Sequence, residues 1–205
     1  MKRRGILLGV LIALICCSSS YANITNVTYA SDDDGAFSCT PWSWSGNSSE
    51  VDMSVYGDLF WGPAHMFVNV ETTDASDPTL KISNSIENDS SFAWTQFTVN
   101  LSMAVSFTLT NVTVTAPGDW SVVSFDQTAN FAGSNYVATV VYDTGSAIPN
   151  DNVSTIDFGY WVKFSGSPSY ELCQEMIPVP EPSSLALVGI GGLFLARLVS
   201  RRGRK

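Results

Sequence analysis

Ile156-Asp157-Phe158-Gly159-Tyr160-Trp161-Val162-Lys163-Phe164 is the stretch that decides the fold. Every even position is large and apolar, while Asp157, Gly159, Trp161 and Lys163 occupy the odd ones. A period of two places these sets on opposite faces of a strand, one toward a core and one away from it. Phe97-Thr98-Val99-Asn100-Leu101-Ser102-Met103 alternates as strictly. Val105, Phe107 and Leu109 stay in phase, but Val112 and Val114 are out of phase, which predicts a bulge or bend near Thr110-Asn111. Val51-Met53-Val55 and Met66-Val68-Val70 are shorter runs, and 120–125 is a further strand candidate. Tyr136 to Tyr142 is apolar on both faces and reads as a central strand.

Turn residues punctuate these runs at Asp32-Asp33-Asp34-Gly35, Gly62-Pro63, Asp77-Pro78, Pro117-Gly118, Thr144-Gly145 and Pro149-Asn150. No helical period persists between the ends of the chain. The expectation is an all-β domain, an antiparallel β-sandwich of Greek-key or jelly-roll type with roughly nine or ten strands, a closed barrel being the alternative.

The N-terminus differs in kind. Lys2, Arg3 and Arg4 precede an apolar run from Ile6 to Cys17, and Ser20-Tyr21-Ala22 offers small residues for signal peptidase. Residues 1–22 read as a signal peptide, helical in the precursor, cut before Asn23. Charge follows the same division. Between Asn23 and Val179 only Lys81 and Lys163 face eighteen acidic residues, a balance of about −16. Such a surface excludes nucleic acid as a partner and repels anionic lipid. Cys16 and Cys17 leave with the leader, and Cys39 and Cys173 remain. In an oxidising compartment the simplest expectation is a Cys39–Cys173 disulfide, worth roughly 4–5 kcal/mol for so long a loop.

Chemistry-bearing motifs are sparse. His65 is the one histidine and opens a strand, and no serine sits in a nucleophile elbow. Acidic loops at Asp32-Asp33-Asp34 and Asp74–Asp77 make Asp32, Asp34, Asp74 and Asp77 the residues to test for calcium, although neither has the spacing of a defined calcium loop. No other cofactor is expected. Trp161, by parity, faces away from the core beside Asp157 and Lys163. Trp94 is out of phase with Phe97-Val99-Leu101 unless a bulge lies near Thr95. These two indoles are the candidates for stacking on a sugar ring; most of the other tryptophans are expected in the core. Seven Asn-x-Ser/Thr triplets begin at Asn23, Asn26, Asn47, Asn88, Asn100, Asn111 and Asn152, and each is a possible glycan acceptor.

The C-terminus reads Val179-Pro180-Glu181-Pro182, an apolar segment with three glycines, then Arg201, Arg202, Arg204 and Lys205. As a helix, Leu185 to Val199 is about 22 Å long, short of the roughly 30 Å hydrocarbon core, and Arg197 interrupts it. It is a marginal span at about 183–200, with the basic cluster held on the cytoplasmic side. Proline triplet, span and basic stop, in this order and at this end, resemble the PEP-CTERM protein-sorting signal. The resemblance covers the last residues only, 179–205. It implies recognition of Pro180, Glu181 and Pro182 by an exosortase, removal of the tail, and delivery to a bacterial surface or exopolysaccharide matrix. The domain of residues 23–178 would then be held outside the inner membrane by the C-terminal helix alone until processing. For its function, a non-enzymatic structural or adhesive role comes first. A carbohydrate-binding module, with exopolysaccharide as partner, is the alternative, and an extracellular hydrolase comes last.

Overall fold

The computed structural model describes residues 24–31, 34–46, 50–72, 79–164 and 169–181. The signal segment 1–22 and the span at about 183–200 lie outside the described residues. Among the described residues no helix is long and apolar enough to cross a membrane.

The described residues form twelve strands: β1 Ile24–Ser31, β2 Phe37–Gly46, β3 Glu50–Leu59, β4 Ala64–Thr72, β5 Thr79–Asn88 and β6 Trp94–Met103. After these come β7 Phe107–Ala116, β8 Ser121–Phe125, β9 Asn130–Ala132, β10 Asn135–Ile148, β11 Thr155–Phe164 and β12 Ser169–Pro180. The domain is all-β, with more strands than the nine or ten expected. One sheet, A, runs β1-β4-β12-β6-β10-β8 with β9 also on β10, and the other, B, runs β2-β3-β5-β11-β7. The strands form two ladders, not the single closed one of a barrel. All pairs are antiparallel except β3 with β5, where Glu50–Leu59 lies in register with Thr79–Asn88. The chain makes this parallel pair without a helix because β4, between them in sequence, crosses to sheet A.

The decisive stretch behaves as its alternation requires. Ile156, Phe158, Tyr160, Val162 and Phe164 are buried, while Asp157, Gly159 and Trp161 are half-buried and Lys163 is exposed on the other face. Their inward side chains meet those of sheet A. The Phe158 ring centroid lies 5.6 Å from that of Phe97 on β6 and 5.2 Å from that of Tyr142 on β10. A polar chain crosses the same interior: the Tyr160 hydroxyl donates to Gln174 Oε1 on β12, and Gln174 Nε2 donates to Asn84 Oδ1 on β5 at 3.3 Å.

The expected bulge in β7 is present. Trp161 pairs with Thr110 but Gly159 pairs with Thr113, leaving one extra residue near Asn111, whose φ is +49°. Val112 and Val114 return toward the core after it. The segment after β8 folds over the open edge of sheet B, where the Leu109 N–H donates to the Gln127 carbonyl at 2.8 Å and the Ala129 N–H to the Phe107 carbonyl at 3.0 Å.

The Cys39–Cys173 bridge expected from the sequence is not formed; neither cysteine is in a disulfide. The reason is parity. Leu172 and Gln174 point inward on β12, so Cys173 faces outward from sheet A. Cys39 sits on β2 of sheet B and is buried in the core cluster, where loss of solvent pushes its thiol pKa up.

Candidate functional site

The outward face of sheet B carries the residues that sequence parity singled out. Register places Tyr56, Ser85 and Asp157 in one cross-strand row and Ser54, Ser83 and Gly159 in the next. A third row brings Asp52, Lys81 and Trp161 together. Small side chains in the middle row leave a trough of about 270 Å³ between larger neighbours. Gly159 forms part of its floor, where an added Cβ would lie 3.0 Å from the Ile82 carbonyl oxygen. Ser85 Oγ donates to Asp157 Oδ1 at 2.6 Å, and Tyr56, half exposed at 51 %, stands at the rim. The trough presents hydroxyls, one carboxylate, and an aromatic edge with room beside it, groups able to hydrogen-bond or stack on a small polar ligand.

Trp161 does face outward, but its ring is covered. Lys81 Nζ lies 4.5 Å from the ring centroid and 2.8 Å from Glu50 Oε2. The hydrogen bond to Glu50 raises the lysine pKa, so the ammonium stays charged over the indole. The accessible stacking residue is therefore Tyr56, which the sequence reading did not single out. Trp94 is not a surface residue at all. It is fully buried, with its indole N–H donating to Ser90 Oγ at 2.8 Å. The cause is a bulge at Thr95: Val179 pairs with Gln96 but Pro180 pairs with Trp94, which turns the indole back inward. The other four tryptophans divide evenly: Trp120 is buried and Trp42 packs against the core, but Trp44 and Trp61 are 37 % and 49 % exposed.

Three carboxylates close one end of the same face. Asp58 on β3 is in register with Glu87 on β5, and Asp89 follows. One oxygen of each lies within 4.8 Å of the others, a set that can offer a divalent cation three oxygen ligands. Burial, then Asp89, pushes the Asp58 pKa up; burial, then Asp89 and Asp58, does the same to Glu87. This group was invisible in the sequence because a parallel register assembles it. Of the acidic-loop residues proposed for calcium, Asp34 is exposed and its Oδ1 accepts the Ala36 N–H at 2.7 Å, a local turn bond. Asp32, Asp74 and Asp77 lie outside the described residues.

His65 belongs to the outward face of sheet A. Its Nε2 lies 3.4 Å from Glu175 Oε1, Asn100 Nδ2 donates to Glu175 Oε2 at 2.7 Å, and Thr139 Oγ1 donates to Asn100 Oδ1 at 2.9 Å. These residues and Cys173 line a second hollow of about 500 Å³. The sequons separate here too. Asn88 is fully buried and donates to the Phe92 and Ile148 carbonyls, whereas Asn111 and Asn152 are exposed.

The sorting triplet begins inside the fold. Pro180 is the last residue of β12, and the Glu181 N–H donates to the Ala93 carbonyl at 3.2 Å. Pro182 and the basic residues Arg201, Arg202, Arg204 and Lys205 lie outside the described residues. No curated protein and no solved structure matches the chain, and residues 24–177 have no recognised family. Residues 178–205 match the family model described as the PEP-CTERM protein-sorting motif, which implies export, a membrane-anchored precursor and an exosortase as processing partner.

Proposed function

We propose that this protein is a secreted, exosortase-processed β-sandwich of Greek-key or jelly-roll type, a non-enzymatic structural or adhesive component of a bacterial surface or exopolysaccharide matrix. The observation that carries this reading is the sorting motif at 178–205, joined without a linker to an acidic all-β body. The acidic body suits a hydrated extracellular setting. Changing Pro180 and Glu181 together to Ala should leave unprocessed precursor in the inner membrane. Normal surface delivery of that double variant would remove the basis of the proposal.

A second reading is supported by the sheet B trough: the domain binds a neutral or amino-bearing polysaccharide, with Tyr56 as the stacking ring and Asp157 as an acceptor for hydroxyls. Anionic glycans are disfavoured by the nearby Asp58, Glu87 and Asp89. In a polysaccharide-binding screen, Tyr56→Ala should cost at least tenfold in affinity, about 1.4 kcal/mol. Trp161→Ala should cost less, because Lys81 already covers that ring. Binding that survives Tyr56→Ala, or binding that never appears, eliminates the trough as a site.

A further inference from the structure

The family match starts at residue 178 and β12 ends at Pro180, so motif and ladder share residues. β12 is an interior strand, between β4 and β6. Its pairing to β4 stops with Met176 opposite Ala64, but its pairing to β6 continues, with Pro178 opposite Phe97, Val179 opposite Gln96 and Pro180 opposite Trp94. Two bonds reinforce this end: Thr95 Oγ1 donates to the Val179 carbonyl at 3.4 Å, and the Glu181 N–H donates to the Ala93 carbonyl at 3.2 Å. Where β4 has stopped, the turn before it closes in. A Cβ on Gly62 would lie only 2.4 Å from Pro178 Cδ. Val179, Pro180 and Glu181 are all half-buried.

An enzyme that cuts or transfers a peptide takes the chain as an extended segment whose amides and carbonyls pair with its own cleft. Bonds already in a ladder do not meet that requirement. We infer that the scissile bond lies on the C-terminal side of Glu181, so that the mature protein keeps Val179-Pro180-Glu181 as the end of β12. The inference rests on the reading that the tail is removed. In the reaction, a nucleophile of the processing enzyme adds to the carbonyl carbon of Glu181 or of a later residue. The C–N bond breaks, the departing nitrogen takes the proton the nucleophile gave up, and the acyl group passes to an amine or to water. A cut nearer the N-terminus would first require the last residues of β12 to peel from Trp94 and Gln96.

The test is the C-terminal peptide of the surface form, purified from cells that process the full chain and read by mass spectrometry. The expected terminus is Glu181 or a later residue. A terminus at Pro180 or before overturns the inference alone, while Lys205 retained on the surface form overturns the removal reading and this inference with it. Amide exchange on the full chain in detergent, followed by NMR, tests the geometry separately. The Glu181 amide should exchange at least tenfold more slowly than a free peptide, and exchange at the free-peptide rate would overturn the inference whatever the processing result.

Discussion

Tyr160→Phe removes one oxygen from the centre of the molecule, and its cost can be worked from the contacts. Tyr160 and Gln174 are both fully buried, one on each sheet, and Gln174 Nε2 is already committed to Asn84 Oδ1. Without the hydroxyl, Gln174 Oε1 becomes a buried acceptor with no donor. Leaving such a group unsatisfied costs about 1–3 kcal/mol, more than the roughly 1 kcal/mol net value of an ordinary hydrogen bond. Against a typical total stability of about 5–15 kcal/mol, that is a large fraction, and for a domain of this size it corresponds to a midpoint lower by about 3–10 °C. Gln174→Leu should cost at least as much, since it removes both the acceptor of the tyrosine hydroxyl and the donor to Asn84 Oδ1. The double variant should lose less than the sum of the two, by about 1 kcal/mol or more, because each single change orphans a group that the double change removes. Urea unfolding with an unchanged m-value is the assay. A Tyr160→Phe cost under about 0.5 kcal/mol, or an additive cycle, would show that the polar chain does not tie the sheets together.

Further changes test other parts of the structure. Gly57→Ala places a Cβ 2.5 Å from the Phe37 ring and 2.6 Å from the Ser38 carbonyl; it should cost about 1–3 kcal/mol by overpacking, checked by thermal unfolding. Burial raises the phenol pKa of Tyr142, Tyr160 and Tyr170. Their contribution is complete below the ordinary tyrosine value of about 10 and is lost as pH rises through the raised values. The unfolding midpoint should therefore fall between pH 9 and pH 11, and Tyr142→Phe should lessen the fall. The Asp58 and Glu87 pKa values are raised as well, so the contribution of these two groups is greatest below the carboxylate range and declines as pH rises through it. Asp58→Asn should raise the midpoint at pH 7 and leave it unchanged at pH 3; a lowered midpoint at pH 7 would contradict the repulsion.

How much was legible in the sequence depended on whether the core was apolar at each point. β11 alternates without interruption and β6 does so from Phe97 to Met103, and over these residues the alternation gives the faces correctly, as it does the β7 bulge. β5 and β12 hide the same period because Asn84, Asn88 and Gln174 occupy inward positions, where they bond to one another or to carbonyls. A polar residue in phase with a core reads as a break, and this is one reason the strand count fell short. For Trp94 the alternation leaves two faces open, and the bulge named near Thr95 as the alternative is the one present, turning the indole inward. The Tyr56 trough and the three-carboxylate group depend on which strands are neighbours. Alternation gives the face of a residue but not its neighbour across the ladder, so neither could be assembled from the chain alone.

The position of the tail bears on how the precursor stands at the membrane. β3, β5 and β10 end, and β4, β6 and β11 begin, at the end of the sheets where β12 leaves. That end carries Asp58, Glu87, Asp89, Asp151 and Glu181, with Trp61 and Val153 as its exposed large apolar groups. A charge close to an anionic leaflet is worth about 1 kcal/mol, so five carboxylates oppose contact by about 5 kcal/mol. Burying the exposed parts of the indole and the valine returns at most about 5 kcal/mol, so the two terms balance at moderate salt and repulsion wins at low salt, where it is less screened. There the domain should stand off the bilayer, held only by its tail, and cutting the tail should release it without further help. The corresponding measurement is flotation of residues 23–181 with vesicles rich in phosphatidylserine. The protein should stay with the soluble fraction at low salt, where the repulsion is least screened. Co-flotation in the absence of divalent cations would mean that Trp61 and Val153 outweigh the carboxylates, and the stand-off reasoning would fail.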